Sequence, residues 1–110
     1  MAIKKSTLTV GPSQIAVLVR SSAADVGTGI PQRDSAVFAG ANGATTYTMK
    51  GGKFSIPGGS NDCEEDYRSP AWSTLRNELG PKNGDVVIVC GAAEETTAKI
   101  GALSAALTLL

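Results

Sequence analysis

The sequence predicts an α+β domain, in which an antiparallel β-sheet carries a short middle helix and a C-terminal amphipathic helix. Short β-prone runs separated by glycine-containing turns fill the first half of the chain. One apolar, β-branched run at residues 86–90 is followed by apolar residues spaced three and four apart, which indicates a buried strand and then a helix. We expect that helix to pack on the sheet, with a dimer partner's sheet favoured over the chain's own.

Length and charge indicate how the chain is organised. Its 110 residues suit a single domain, residues 1–110. The net charge is zero, yet residues 1–61 carry six bases and two acids, whereas residues 62–110 carry four bases and eight acids. We therefore expect a β-rich basic region at residues 1–61 and a helix–strand–helix acidic region at residues 62–110. A basic face would favour a polyanionic partner.

Two β-prone runs open the chain. Residues 6–10 and 14–20 are separated by Gly11-Pro12-Ser13, which predicts a hairpin. Residues 21–34 are rich in small residues and show little periodicity, so they predict a loop. A short strand is expected after it, at residues 35–39.

The clearest hairpin joins residues 45–50 to residues 53–56 through Gly51-Gly52, a pair that suits a primed two-residue turn. The turn sets the register, so that one face carries apolar side chains (Tyr47, Met49, Phe54 and Ile56). The other face carries Thr46, Thr48, Lys50, Lys53 and Ser55. Two lysines oppose each other there, and an anion would relieve their repulsion, unless both simply extend into water.

The second half of the chain alternates helix and strand. Ser69-Pro70 is typical of a helix start, and Trp72, Leu75 and Leu79 follow at helical spacing. Gly80-Pro81 predicts the end of that middle helix. Residues 86–90 are then expected to form a central strand.

The C-terminal helix is predicted from residue 92 onward. Ile100, Leu103, Leu107 and Leu110 form one apolar stripe. The stripe could lie on the chain's own sheet or on a neighbouring subunit. The apolar ending Leu109-Leu110 favours the neighbour, so the four stripe residues are the predicted dimer interface.

The residue types argue against catalysis. There is no histidine, which removes the commonest general base and the commonest metal ligand. The cluster Asp62, Glu64, Glu65 and Asp66 lacks the ligand spacing of a calcium loop, and a solvated acidic loop is the favoured interpretation. We expect no enzyme activity, no metal, no cofactor, no membrane contact and no small-molecule substrate.

Cys63 and Cys90 have no metal-type spacing, and free thiols are expected for both. The acids around Cys63 should disfavour its thiolate. A disulfide between subunits through Cys63 remains an alternative.

This order of elements, a β-rich basic half followed by an apolar strand and an amphipathic helix, resembles the coat proteins of single-stranded RNA bacteriophages. The resemblance covers residues 86–110 best and residues 6–56 loosely. It implies a virion structural protein that is made in the host cytoplasm, dimerises through its C-terminal helix and assembles into a capsid that encloses RNA. It also implies that Thr46, Thr48, Lys50, Lys53 and Ser55 face the RNA.

Two further interpretations stay open: a phage capsid decoration protein, and a small non-catalytic α+β binding or regulatory domain. The elements around Gly84-Asp85 and Gly101-Ala102-Leu103 also resemble an order of elements in bacterial aspartyl-tRNA synthetases. The ATP-binding motifs of those enzymes are absent, so we interpret the pattern as convergent.

Overall fold

The apolar run around residue 88 forms the central strand of the sheet, as predicted. In the computed structural model, which describes all 110 residues, five antiparallel strands lie in the order β1-β2-β5-β3-β4. The strands are β1 (Ala2–Ile3), β2 (Ser13–Val19), β3 (Gly43–Lys50), β4 (Lys53–Ser55) and β5 (Val86–Ala92). The helices are α1 (Ile30–Phe38), α2 (Cys63–Asp66), α3 (Ala71–Leu79) and α4 (Glu95–Leu107). These elements confirm the α+β class.

Helices cover both faces of the sheet. Helix α1 packs on β3 while α4 packs on β2 and β5, and these two helices also pack against each other. The opposite face carries α2 and α3. Alternate residues of β5 divide between the two sides: Ile88 and Cys90 face α1 and α4, whereas Val87 and Val89 face α2 and α3. We call these the α1/α4 side and the α2/α3 side.

The prediction of a strand at residues 6–10 is wrong. This segment is a loop, and the buried side chain of Gln14 holds it. Gln14 Oε1 accepts hydrogen bonds from the Ser6 hydroxyl (2.6 Å) and the Ser6 amide (3.1 Å). Gln14 Nε2 donates to three loop carbonyls, those of Ser6, Thr9 and Gly11. The strand that pairs with the outer edge of β2 is instead Ala2–Ile3, and the other edge of β2 pairs with β5.

The loop also passes directly over β5. A Cβ atom at Gly91 would lie 1.6 Å from the carbonyl oxygen of Val10, so only glycine fits at this position. The crossing explains why a glycine stands in an otherwise apolar central strand.

Helix α1 replaces the end of the predicted loop, from residue 30 onward, and the predicted strand at residues 35–39, whereas residues 21–29 form the connection that the loop prediction describes. Pro31 lies in its first turn, where a missing N–H is harmless. Gln32 and Ala36, one turn apart, form its buried face. The solvent side carries the apolar residues Val37 and Phe38, and this hides the helical periodicity in the sequence.

The β3–β4 hairpin forms through Gly51-Gly52 with the predicted register, in which Lys50 opposes Lys53 and Met49 opposes Phe54. Tyr47, Met49 and Phe54 share the predicted apolar face and are buried. The predicted fourth pair is absent because β4 ends at Ser55, although Ile56 still packs against the same cluster.

The opposite face of the hairpin differs from the prediction. Thr46, Thr48 and Ser55 are buried, and the hydroxyls of Thr48 and Ser55 lie 2.8 Å apart. Helix α1, which the sequence pattern does not reveal, packs over β3. These three side chains therefore do not form an open surface for RNA, and only Lys50 and Lys53 of the predicted set are exposed.

The middle and C-terminal helices form as predicted, with α3 ending at Gly80 and α4 beginning at Glu95, three residues later than expected. The orientation of α4 does not follow from its apolar pattern. Its buried face consists of Ala98, Gly101, Ala102 and Ala105, and the predicted stripe points away from the sheet. Helix α4 therefore packs on this chain's own sheet, which corrects the favoured prediction of a partner's sheet, but it does so through its small residues and not through the stripe. Leu109, part of the apolar ending that favoured a neighbour, is buried in this chain's own core. None of the four helices has both the length and the apolar character needed to cross a bilayer.

Candidate functional site

Small residues bring α1 and α4 close together. A Cβ atom at Gly101 would lie 2.8 Å from Cys90 Sγ and 3.0 Å from Ala41 Cβ, so α4 lies tightly against the sheet. The helices run antiparallel, since Gln32 donates to Thr108 (3.2 Å) near one end of the pair and Gly40 lies beside Thr97 near the other. An inner face of alanine and glycine thus leaves the large side chains of α4 outside.

The outer face of this layer exposes an apolar surface. On α4 the exposed fractions are 51% for Ile100, 60% for Leu103, 63% for Leu107 and 89% for Leu110. On α1, Val37 is 46% and Phe38 is 96% exposed. The antiparallel pairing places Val37 and Phe38 at the same end of the layer as Ile100, and Arg33, Asp34 and Asn42 border them on the side of α1. We call the six apolar residues the outer apolar surface.

The size of this surface is high for an isolated domain. If a fully exposed large apolar side chain contributes about 150 Å², the six residues present roughly 600 Å², the upper end for the largest patch on a typical monomer. No charged residue occurs between Ile100 and Leu110. Apolar surfaces of this extent mark interaction sites in soluble proteins.

One of the two opposed lysines of the hairpin has an acidic partner within the chain. Lys53 Nζ lies 3.5 Å from Asp62 Oδ2, which reduces its repulsion with Lys50 without an external anion. The turn itself is held on both sides, because Asn83 accepts from the Gly52 amide (2.7 Å) and Arg76 donates to the Gly52 carbonyl (2.7 Å). These contacts hold the β3–β4 turn in place, so its charged side chains have a structural role.

The acidic segment before α3 is also engaged in structural contacts. Asp62 accepts from the Glu65 amide (3.4 Å) and so caps α2. Glu64 pairs with Arg76, whose guanidinium lies 5.1 Å from the Phe54 ring centroid. Glu65 pairs with Arg68 at 3.2 Å, and Asp66 accepts from a serine hydroxyl. No group of three or more His, Cys, Asp or Glu side chains is placed to hold a metal ion.

Both cysteines are buried free thiols. Burial is the main cause that raises the pKa of Cys63, with Asp66 and Asp62 adding to it, so the predicted disfavouring of the thiolate has the right direction. Burial alone raises the pKa of Cys90 to about 11. Cys63 lies in the core beside α3, so the alternative of an intersubunit disulfide has no accessible sulfur in this fold.

The remaining perturbed groups also have structural partners. The Tyr47 hydroxyl donates to the Leu8 carbonyl (2.6 Å), and burial raises the pKa of Tyr47. Asp85 accepts from the Lys82 amide (2.9 Å) and the Ser21 amide (3.0 Å), and it pairs with Arg20 (2.9 Å). These hydrogen bonds lower the pKa of the Asp85 carboxyl. The shifts therefore follow from packing, and the feature best suited to a function is the outer apolar surface.

Sequence reasoning finds the α4 half of this surface and misses the α1 half. The spacing of Ile100, Leu103, Leu107 and Leu110 gives the stripe directly. Val37 and Phe38 fall in a predicted strand, and the available signal for α1 is Pro31, a residue type common in the first turn of a helix.

The fold and the site together define a three-layer α+β domain with a covered sheet and one exposed apolar helical layer. The chain is a member of the family described as domain of unknown function DUF4443, whose pattern matches residues 10–109. No curated protein matches the chain.

One solved structure is similar to nearly the whole chain. It is the hypothetical protein PH0730 from Pyrococcus horikoshii OT3, with a TM-score of 0.72 and 22% sequence identity. The similarity covers 99% of this chain and 54% of that protein, so this chain spans about half the length of its structural neighbour. At this identity the likeness concerns the fold alone.

Proposed function

We propose that this domain is a non-catalytic association module that pairs with a second copy of itself through the outer apolar surface. The observation that supports the proposal is the exposure of the four stripe residues, each more than half exposed on a helix whose inner face is already buried. Solvent is an unfavourable environment for such a stripe, and covering it lowers the free energy of the assembly.

The area of the surface suits a second copy. Two outer apolar surfaces of roughly 600 Å² would together remove about 1,200 Å² from water, the lower bound for a specific protein–protein interface. Polar residues at the rim would add to that area. A two-fold contact uses the same surface twice and needs no additional component.

The pattern along α4 is compatible with two-fold symmetry. An antiparallel contact centred near Leu103 sets Ile100 of one copy against Leu107 of the partner subunit. Lys99 then lies near the C-terminal end of the opposite α4, where unpaired carbonyls and the helix dipole attract a cation. Helix α4 contributes no like-charge contact to the centre of such an interface, because residues 100–110 are uncharged.

The test is the mass of the protein in solution, compared between wild type and Leu107→Glu. We expect wild type to sediment at twice the chain mass of 11.2 kDa and the variant to sediment at 11.2 kDa. A charge buried within a two-fold contact occurs twice, so the dimer should weaken by about 100-fold or more. Leu107 is 63% exposed, so the fold should be unaffected.

Asn77→Glu is the matched control, because Asn77 is exposed on α3, on the other side of the sheet. It adds the same charge and should leave the dimer intact. A wild-type protein that remains monomeric at about 100 μM, a hundred times a micromolar dissociation constant, would refute self-association.

A coat function, the first prediction from the sequence, is the second candidate, and the exposed stripe is what favours it because a shell also needs self-association. RNA contact would depend on Lys50 and Lys53, since their three predicted neighbours are buried. Absorbance at 260 and 280 nm across the assembled peak decides between the two. An assembly free of nucleic acid would exclude the coat function and leave the association module standing.

A further inference from the structure

Phe38 is the most exposed large apolar side chain of the protein, at 96%. It follows Val37 at the C-terminal end of α1 and borders an open depression that Arg33, Asp34 and Asn42 complete. The depression measures about 470 Å³, which is more than the space that a phenyl ring needs. A ring in water beside an unfilled depression suits a contact in which a second copy supplies the missing half.

The contacts between α1 and α4 determine which part of α1 lies beside Leu103. A Cβ atom at Gly101 would lie 3.5 Å from the carbonyl oxygen of Ala36. Further along, Gln32 donates to Thr108 at 3.2 Å. Leu103 follows Gly101 by two residues, so it is level with the middle of α1, about one residue before Ala36.

The two-fold contact proposed above also brings α1 against α1 of the second copy. In a face-to-face contact the two-fold axis lies in the plane of the interface, so the rotation that pairs α4 with α4 pairs α1 with α1. Both α1 helices then run antiparallel about a centre one residue before Ala36. Residues 37 and 38 on one side of that centre are level with residues 32 and 33 on the other. Val37 and Phe38 of one copy therefore meet Arg33 of the partner subunit, which lines the depression.

The chemistry of this contact is favourable. A guanidinium is attracted to the face of an aromatic ring, and the attraction grows when water is excluded. The side chain of Arg33 is 56% exposed, and its ion pair with Asp34 at 3.3 Å is also exposed, so it contributes little. Within one chain the guanidinium–ring contact is that of Arg76 over Phe54, so Arg33 and Phe38 are both free to make one between copies.

We propose that Phe38 is the anchor of the two-fold dimer, a step that rests on the proposed self-association. The ring of Phe38 fills the depression of the second copy and packs against the partner's Arg33, and the same contact occurs a second time by symmetry. The stripe on α4 supplies most of the buried area, and the two rings fix the register of the helices.

The contact can be observed directly in a dimer assembled from one isotope-labelled and one unlabelled copy. We expect nuclear Overhauser effects between the ring protons of Phe38 and the side chain of Arg33 of the partner subunit. A dimer in which Phe38 shows no such effect would overturn the role of Phe38 and leave the proposed self-association intact. A wild-type protein that stays monomeric at about 100 μM would refute both.

Phe38→Ala measures the contribution of the anchor. We expect the dimer to weaken at least 10-fold in a sedimentation titration, because a central aromatic side chain is lost. Since Phe38 is almost fully exposed in one copy, the melting temperature of the diluted monomer should not change. Tyr67→Ala is the matched control, because it removes an exposed aromatic side chain from the α2/α3 side. Equal dissociation constants for wild type and Phe38→Ala would overturn the proposal.

Two further substitutions test the register. Arg33→Gln should weaken the dimer several-fold, and this effect should be much smaller in a Phe38→Leu background, because leucine has no ring for the guanidinium. Asp34→Asn should strengthen the dimer a few-fold, since the two copies of Asp34 lie near the axis and repel each other. Asp25→Asn, at an exposed acid outside α1, is the control and should have no effect. Independent effects of Arg33→Gln and Phe38→Leu, or no strengthening by Asp34→Asn, would contradict this register.

Discussion

The two sides of the sheet are packed with different types of side chain. The α2/α3 side contains three aromatic rings in contact: Trp72 lies 5.0 Å from Tyr47 and 4.9 Å from Phe54 between centroids. The ion pair of Arg76 and Glu64 lies at its border. The α1/α4 side is packed largely with alanine, and it keeps two buried polar atoms without partners, Gln32 Oε1 and Thr46 Oγ1.

This difference shows how one domain can separate stability from interaction. Large rings bury much area per residue and hold the α2/α3 side closed without a partner. Small residues let α1 and α4 lie close to the sheet, but they leave the large apolar side chains of those helices outside. The α1/α4 side is consequently the one that leaves a large apolar surface exposed to solvent.

Removing the largest ring should have the greatest effect on stability. Trp72→Ala is expected to lower the free energy of unfolding by about 3–5 kcal/mol, because it leaves a cavity among Tyr47, Phe54 and Leu75. Chemical denaturation measures the change. Ile100→Ala is the control; measured in the Leu107→Glu background, where the proposed dimer contact does not contribute, it should cost less than about 1 kcal/mol. Equal losses in the two variants would contradict the division between the two sides.

The close packing of α4 can be tested by adding volume. Gly101→Val would bring side-chain atoms against Cys90 and Ala41, and we expect a loss of about 2–3 kcal/mol from overpacking. Hydrogen exchange should show that the protection lost is concentrated in α4 and α1. Ser104→Val, a half-buried position on the same helix, serves as the control. A tolerated Gly101→Val would mean that α4 can move away from the sheet freely.

The smallest expected effect concerns Asp85, which ties the segment after β2 to the segment after α3 and so joins the two sides. Its carboxyl has a lowered pKa in the folded protein, so its stabilisation is complete above the unfolded pKa of about 3.9 and is lost as the pH falls through the folded pKa. Asp85→Asn should cost about 1–2 kcal/mol at pH 7.

The pH dependence gives this prediction its check. Melting temperatures of wild type and Asp85→Asn, measured from pH 7 to pH 2, should converge at the acid end. Asp25→Asn, which changes an exposed carboxylate, provides the control for the general effect of removing an acid. A constant difference across the range would mean that the charge of Asp85 is not what stabilises the contact.

The elements that the sequence predicts well have strong local signals. The Gly51-Gly52 turn sets the β3–β4 register, Gly80 ends α3, and the apolar run in β5 is long enough to identify a central strand. In each case residues near one another in the chain determine the structure, so a pattern along the sequence is sufficient.

The elements that it misses depend on distant contacts. The loop at residues 6–10 has the composition of a strand, and only the side chain of Gln14 and the crossing over Gly91 make it a loop. The orientation of α4 also depends on a distant contact. Leucines are normally on the buried face of a helix, but only the alanine and glycine face of α4 fits against Cys90. The prediction of an exposed threonine–serine face is wrong because α1 covers it.

The position of the single tryptophan has a practical consequence. Trp72 reports only on the α2/α3 side, and its indole N–H is held by the Tyr67 carbonyl at 2.7 Å. Its fluorescence should therefore remain native-like when α4 detaches locally, while circular dichroism records the lost helix. If fluorescence and circular dichroism are both followed during unfolding, the two sides of the sheet can be observed separately in one small domain.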